Sequence, residues 1–109
     1  MTVERHGQIT RLLPEQRATY LELHAAVWPA VEATIAACNI RNYTIFTVGD
    51  ALIAYFEYTG SDFEFDMSKM AADPVTKQWW SFTDPCQENW FGDSGASKWT
   101  DATEIWHLE

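Results

Sequence analysis

Residues 41–58 read RNYTIFTVGDALIAYFEY, and this stretch decides the fold. Arg41–Val48 alternates and is rich in β-branched and aromatic residues, as is Ala51–Tyr58 after it. Gly49–Asp50 between them is a two-residue hairpin signal. Such a turn pairs Val48 with Ala51 and sets the register behind it. Tyr43, Ile45 and Thr47 then share a face with Leu52, Ala54 and Phe56. The opposite face collects Asn42, Thr44, Phe46, Ala51, Ile53, Tyr55 and Glu57. A slip of one residue would exchange the two faces.

Upstream, Gln8–Leu13 alternates roughly and is expected to form a short first strand. Pro14 suits a first helical position, and Glu15 suits the positive end of the helix dipole. Tyr20, His24, Val27, Val31, Ile35 and Cys38 then recur at helical spacing, with Trp28 beside that stripe. Pro29 cannot donate to the carbonyl of Ala25, and its ring clashes there. The expectation is two helical pieces joined by a kink near Trp28, ending at Cys38–Asn39 with Asn39 as a left-handed cap.

Downstream, Ser61-Asp62-Phe63-Glu64 reads as a capping box that opens a helix running to about Ala72. Asp73–Pro74 starts another, with Val75, Trp79 and Phe82 on one face and Trp80 just off it. Asp84–Pro85 ends it. Residues 86–100 hold Gly92, Gly95 and two serines and read as a long loop, a feature that in a small domain is functional or mobile. Thr103–Leu108 alternates again and is expected as the last strand. The order is βαββαβ, the α+β ferredoxin-like arrangement: one antiparallel sheet with helices on one face. The uncovered face is expected to meet a second subunit or a ligand.

The 109 residues predict a single domain spanning 1–109, and 47% apolar with 15% aromatic residues is enough to build a core. A net charge of −9 with only seven Lys plus Arg argues against nucleic acid and anionic membrane surfaces. Cys38 and Cys86 form no CxxC pair and are too few for a disulfide framework. No apolar run approaches the ~20 residues of a membrane span. The Met-Thr-Val-Glu-Arg-His start has no apolar signal segment, so the expected location is cytoplasmic.

His24 is the first candidate for chemistry. A lone histidine on an apolar stripe is more often a core residue satisfied by a backbone carbonyl. Tyr20, one turn earlier on the same face, shifts the balance, since an imidazole titrates where a proton shuttle between hydroxyl groups needs it. Trp79 and Trp80 point about 100° apart on a helix, so both cannot enter one core layer. One packs inside while the other caps an edge, or one ring walls a pocket, as suits the C–H face of a sugar. Tyr43 is an ordinary strand residue whose hydroxyl needs a partner if buried. His6, His24 and His107 have no metal-ligand spacing, and there is no Gly-rich phosphate loop or nucleophile elbow. Asp62, Glu64 and Asp66 are expected on the surface of a helix start, where the dipole accounts for them.

YLELHAAVWPAV, NYTIF and DPVTKQWW, in that order, resemble the L-rhamnose mutarotases, with their Tyr-x3-His-x3-Trp-Pro, Asn-Tyr-x-Ile and Trp-Trp motifs. The resemblance runs from about residue 8 to residue 82 and more loosely to the end. It implies a ferredoxin-like homodimer, a dimeric α/β barrel, that interconverts α and β anomers of a neutral monosaccharide without a cofactor or metal. It places the proton-transferring residue on His24 and the substrate-binding residues on Tyr20, Tyr43, Trp79 and Trp80. The final DPCQENWFGDSGASKWTDATEIWHLE is longer than the family's Pro-rich stretch and carries extra tryptophans, Trp90 and Trp99. That segment borders the sugar in such a fold, which leaves L-rhamnose, L-fucose and other 6-deoxy or neutral hexoses open. Two other classes share the expected fold: dimeric monooxygenases and non-catalytic sugar-binding modules.

Overall fold

A computed structural model describes residues 3–109, and the hairpin lies where the sequence places it. β2 (Ile40–Val48) pairs with β3 (Ala51–Tyr58), Val48 opposite Ala51, Thr47 opposite Leu52 and Ile45 opposite Ala54. Gly49 takes a φ of 55° at the turn, a conformation that a side chain would strain. The register shifts between Arg41 and Thr44, so that Ile40 lies opposite Tyr58. Asn42 occupies the left-handed region there, with φ 52°. This extra residue reverses the alternation and turns Ile40 into the core, where strict alternation from Tyr43 would have buried Arg41.

β1 (Glu4–Leu12) runs antiparallel to β3, with His6 opposite Phe56 and Thr10 opposite Leu52. It begins four residues before the strand read from the sequence and ends one residue sooner. Periodicity hid its first half because His6 does an apolar residue's job, stacked between Phe56 and Phe63 with centroids 4.8 and 4.4 Å away. In the sheet β2, β3 and β1 are followed by β4 (Gln87–Glu88), the ferredoxin-like order, and β5 (Thr100–Ala102) is also paired to β1.

The last strand is not at 103–108. β4 (Gln87–Glu88) pairs with Leu12 and Arg11, and β5 (Thr100–Ala102) pairs with Ile9, Gln8 and Gly7. The edge strand is therefore split, and residues 89–99 loop out between its halves. Thr10 sits at the gap, its hydroxyl 2.9 Å from the Glu88 carbonyl and 2.7 Å from that of Lys98. Buried Asn89 organises the excursion: its amide donates to the Ser97 carbonyl at 2.7 Å and its oxygen accepts from the Phe91 amide at 2.9 Å. Beyond Ala102 the chain meets β1 through an Arg5–Glu104 ion pair at 2.7 Å, and Ile105, Trp106 and Leu108 stand exposed. The alternation of 103–108 has no partner strand among the described residues, which is why it is not one.

After a 3-10 turn at Pro14–Gln16, α1 (Arg17–Ala25) and α2 (Pro29–Ala37) form the expected pair. The joint is a full break, not a kink. Trp28 is extended at φ −64° and ψ 130°, as residues before proline prefer, and Pro29 opens a new helix at its first turn. Asn39, with φ 66°, provides the left-handed stop. α3 (Phe63–Ala72) is capped by Asp62, which accepts from the Phe65 amide at 3.1 Å, so Asp62 and not Ser61 is the cap. α4 (Pro74–Thr83) is capped by Asp73, which accepts from the Thr76 amide at 2.8 Å. Its buried face is Thr76, Trp79 and Thr83, while Phe82 lies half exposed against Trp28. Asp66, expected on the surface, is buried and accepts from the Tyr58 hydroxyl at 2.5 Å and the Asn39 amide at 3.0 Å. No helix among the described residues is long and apolar enough to cross a membrane.

The interior divides in two. Cys38, Ile40, Phe56, Tyr58 and Met70 form one apolar cluster; Leu12, Tyr20, Leu52 and Cys86 form another. A cleft opens between them, lined by residues of both clusters.

Candidate active site

A cavity of about 700 Å³ opens between the sheet's inner face and α1, α2 and α4. Ile40 and Met70 reach it from one cluster and Tyr20 and Leu52 from the other. That volume lies within the ordinary range for small-molecule sites. All five residues singled out in the sequence, Tyr20, His24, Tyr43, Trp79 and Trp80, line it.

His24 stands in the last turn of α1, with its Nδ1 2.9 Å from the Tyr20 carbonyl oxygen. A carbonyl only accepts, so Nδ1 carries the proton and the neutral ring keeps its lone pair on Nε2. The backbone contact expected of a core histidine is thus present, and it is what leaves the second nitrogen available. Nε2 has no hydrogen-bond partner among the described residues. The ring is clamped on two sides: Tyr20 stacks on it at 4.2 Å and Trp79 meets it edge-on at 5.4 Å.

Tyr20 is 3% exposed, and its hydroxyl accepts from the Gln87 amide at 3.2 Å. Desolvation pushes its phenol well above the ordinary value, against a smaller downward pull from the Gln87 bond, and the Tyr43 phenol is close enough to add to the rise. Tyr20 therefore stays a neutral hydrogen-bonding group. Tyr43 stacks on Phe56 at 5.5 Å, and desolvation likewise raises its phenol. The two tryptophans divide their work. Trp79, 6% exposed, is held between His24 and Trp28, whereas Trp80 is 36% exposed and keeps ring area free at the rim.

Sequence reasoning missed Gln87 and Arg41, and it noted Trp99 as an extra tryptophan without giving it a role. Gln87 and Trp99 come from the stretch read as loop, which the split edge strand folds back onto the cleft. Arg41 reaches the rim and is tied to the Ala36 and Ile40 carbonyls at 2.9 Å. Trp99 is marked in the sequence as a tryptophan in a polar stretch; nothing near Gln87 marks it. Among the described residues no three His, Cys, Asp or Glu side chains gather where they could hold a metal ion.

With this geometry in hand, comparison with known proteins is decisive. The family model for L-rhamnose mutarotase matches residues 5–108. The chain belongs to the L-rhamnose mutarotase family. Members of that family are isomerases that interconvert sugar anomers. An L-rhamnose mutarotase from Listeria monocytogenes is 26% identical over 108 residues, covering 97% of this chain and 99% of that protein. One from Burkholderia ambifaria is 31% identical over 71 residues, 65% of this chain and 67% of that protein. The crystal structure of an L-rhamnose mutarotase from Formosa agariphila superimposes with a TM-score of 0.75 at 21% identity, covering 97% of this chain and 99% of that one. At that identity the superposition speaks for the shared fold, and the family model carries the assignment.

Proposed function

We propose that the protein exchanges the α and β anomers of L-rhamnose, with His24 as the proton-transferring group, and that it works as a homodimer. The observation that carries the mechanism is the Nδ1 bond to the Tyr20 carbonyl, which leaves Nε2 free as a base on a ring that lines a cavity of hexose-accommodating size. Nε2 takes the proton of the anomeric hydroxyl while the bond from the anomeric carbon to the ring oxygen breaks. The imidazolium returns a proton to that ring oxygen, and the open aldehyde forms. Rotation about the bond between the first two carbons presents the other face, and the same steps in reverse close the ring. No proton is gained or lost overall. One imidazole suffices because both oxygens sit on the same carbon.

The other residues bind and orient. Tyr20 and Tyr43 hydrogen-bond sugar oxygens, and Trp80 offers its free face to the ring's C–H groups. Val27, Val31 and Ile45 line the same cavity and suit the methyl group of a 6-deoxy sugar. The dimer reading rests on the sheet face turned away from the helices, where Phe46 (59%) and Ile53 (40%) pair across β2 and β3 yet remain exposed.

Saturation-transfer NMR on L-rhamnose tests the proposal. Wild type should accelerate exchange, and His24→Ala should lose at least about a hundredfold of it. Undiminished exchange in the variant would remove His24 from the mechanism. Parallel runs with L-fucose and D-glucose decide the sugar; acceleration of none of them sinks the mutarotase reading.

A further inference from the structure

The Gln87 side chain is buried to 4% exposure in a strand of two residues, directly opposite Leu12. Its aim is fixed by the backbone around it. The Leu13 amide donates to the Cys86 carbonyl at 2.9 Å, the Lys98 ammonium to the Gln87 carbonyl at 3.1 Å, and the Thr10 hydroxyl to the Glu88 carbonyl at 2.9 Å. Three elements distant in sequence therefore hold one side chain in place. A surface loop glutamine would need none of this.

Among the described residues the one hydrogen bond from that side chain goes to Tyr20: Gln87 Nε2 donates to the hydroxyl oxygen at 3.2 Å. A carboxamide nitrogen only donates, so this bond occupies a lone pair of Tyr20 and leaves its proton to be placed elsewhere. Tyr20 Oη donates to no protein acceptor among the described residues, and Tyr20 lines the cavity. The polarity of the hydroxyl is thereby set, with a lone pair of the oxygen held by Gln87 and the proton left for an acceptor in the cleft.

We infer that Gln87 is a positioning residue that makes Tyr20 a hydrogen-bond donor to an oxygen of the bound sugar. The inference rests on the mutarotase reading and deepens it. A donor already oriented before the sugar binds stabilises charge that develops on the sugar oxygen at ring opening, without reorganisation at that moment. Desolvation keeps the phenol protonated, as a donor must be. The substrate class that fits is a neutral sugar whose reacting region presents a lone pair to Tyr20, and an analogue with hydrogen in place of that oxygen should gain nothing from Gln87.

The decisive variant is Gln87→Glu, compared with wild type across pH by anomer-exchange NMR. A protonated glutamic acid still donates to Tyr20, whereas a carboxylate only accepts and would draw the Tyr20 proton away from the sugar. The ratio of Q87E to wild-type kcat should therefore fall as pH rises, by about tenfold or more in total, with KM changing less. In a Tyr20→Phe background the same Gln87→Glu change should produce no pH-dependent loss. Gln87→Met provides a second arm should the glutamate variant not fold: it should lower kcat beside Tyr20 but not beside Phe at position 20. A Q87E-to-wild-type ratio that is flat in pH overturns the inference, as does a loss that persists in the Tyr20→Phe background. No acceleration by wild type overturns instead the reading beneath it, so the two failures are distinct.

Discussion

The rings of His24 and Trp79 meet edge to face, with centroids 5.4 Å apart and planes at 69°. Trp79 in turn meets Trp28 at 5.2 Å and 71°, so the imidazole is held by a short aromatic chain running from α4 to the joint between α1 and α2. Trp79→Ala should cost about 3–5 kcal/mol of stability and lower kcat, because it removes packing and the support of His24 together. Trp80→Ala, at the rim, should leave thermal stability nearly unchanged and raise KM. Equal melting shifts in the two variants would contradict this division, and calorimetry with exchange kinetics measures it.

Tyr58 and Asp66 join β3 to α3 through a buried bond, and Gly60 lies against both. A β-carbon at position 60 would overlap the Tyr58 hydroxyl and come within 2.8 Å of Asp66 Oδ2. Bonds from Tyr58 and then Asn39 hold the Asp66 carboxyl below its ordinary value, against desolvation. A folded value below the unfolded one gives stability that is complete above the unfolded value and lost as pH falls through the folded one. Asp66→Asn should therefore be less stable than wild type at neutral pH, with the gap closing in acid below a pH of about 4. Denaturant titrations across pH test this; a gap that widens in acid would reverse the assignment.

The hairpin and the start of α4 were legible because they depend on neighbours in the chain: Gly49–Asp50 sets Val48 against Ala51, and Asp73–Pro74 opens α4, whereas the α3 cap falls one residue after the Ser61 of the capping box. The pairing of Tyr20 with His24 was legible for the same reason, being one helical turn. What escaped depends on distant partners. His6 counts as polar in any periodicity, yet it stacks between two phenylalanines; Asp66 looks like a helix-start acid, yet it satisfies Tyr58. The split edge strand was illegible because two residues at 87–88 and three at 100–102 carry no pattern of their own. Thr10, opposite the gap, brings them together with Lys98 and Asn89.

Thr10 is fully buried, and its hydroxyl is the donor that the Glu88 and Lys98 carbonyls share. Thr10→Val keeps the shape and removes the donor, at an expected cost of about 1–3 kcal/mol. Because the clip closes the excursion that brings Trp99 and Gln87 to the cleft, KM should rise as well. Amide exchange should quicken at 87–88 and 100–102 more than in β2 and β3. Uniform quickening across the sheet would mean that the clip is not local.

Ile53 lies opposite Phe46 on the outer sheet face, and an apolar pair left in water on an antiparallel sheet calls for a cover. If the cover is a second copy, Ile53→Glu places like charges together near the two-fold axis, and the dimer should dissociate. Light scattering after size exclusion should give twice the chain mass of 12.5 kDa for wild type and the chain mass for the variant. The His24 site lies on the other face of the sheet, so an intact cleft in the monomer should keep measurable anomer exchange. A wild-type chain that runs as a monomer would remove the dimer from the functional reading while leaving the chemistry at His24 in place.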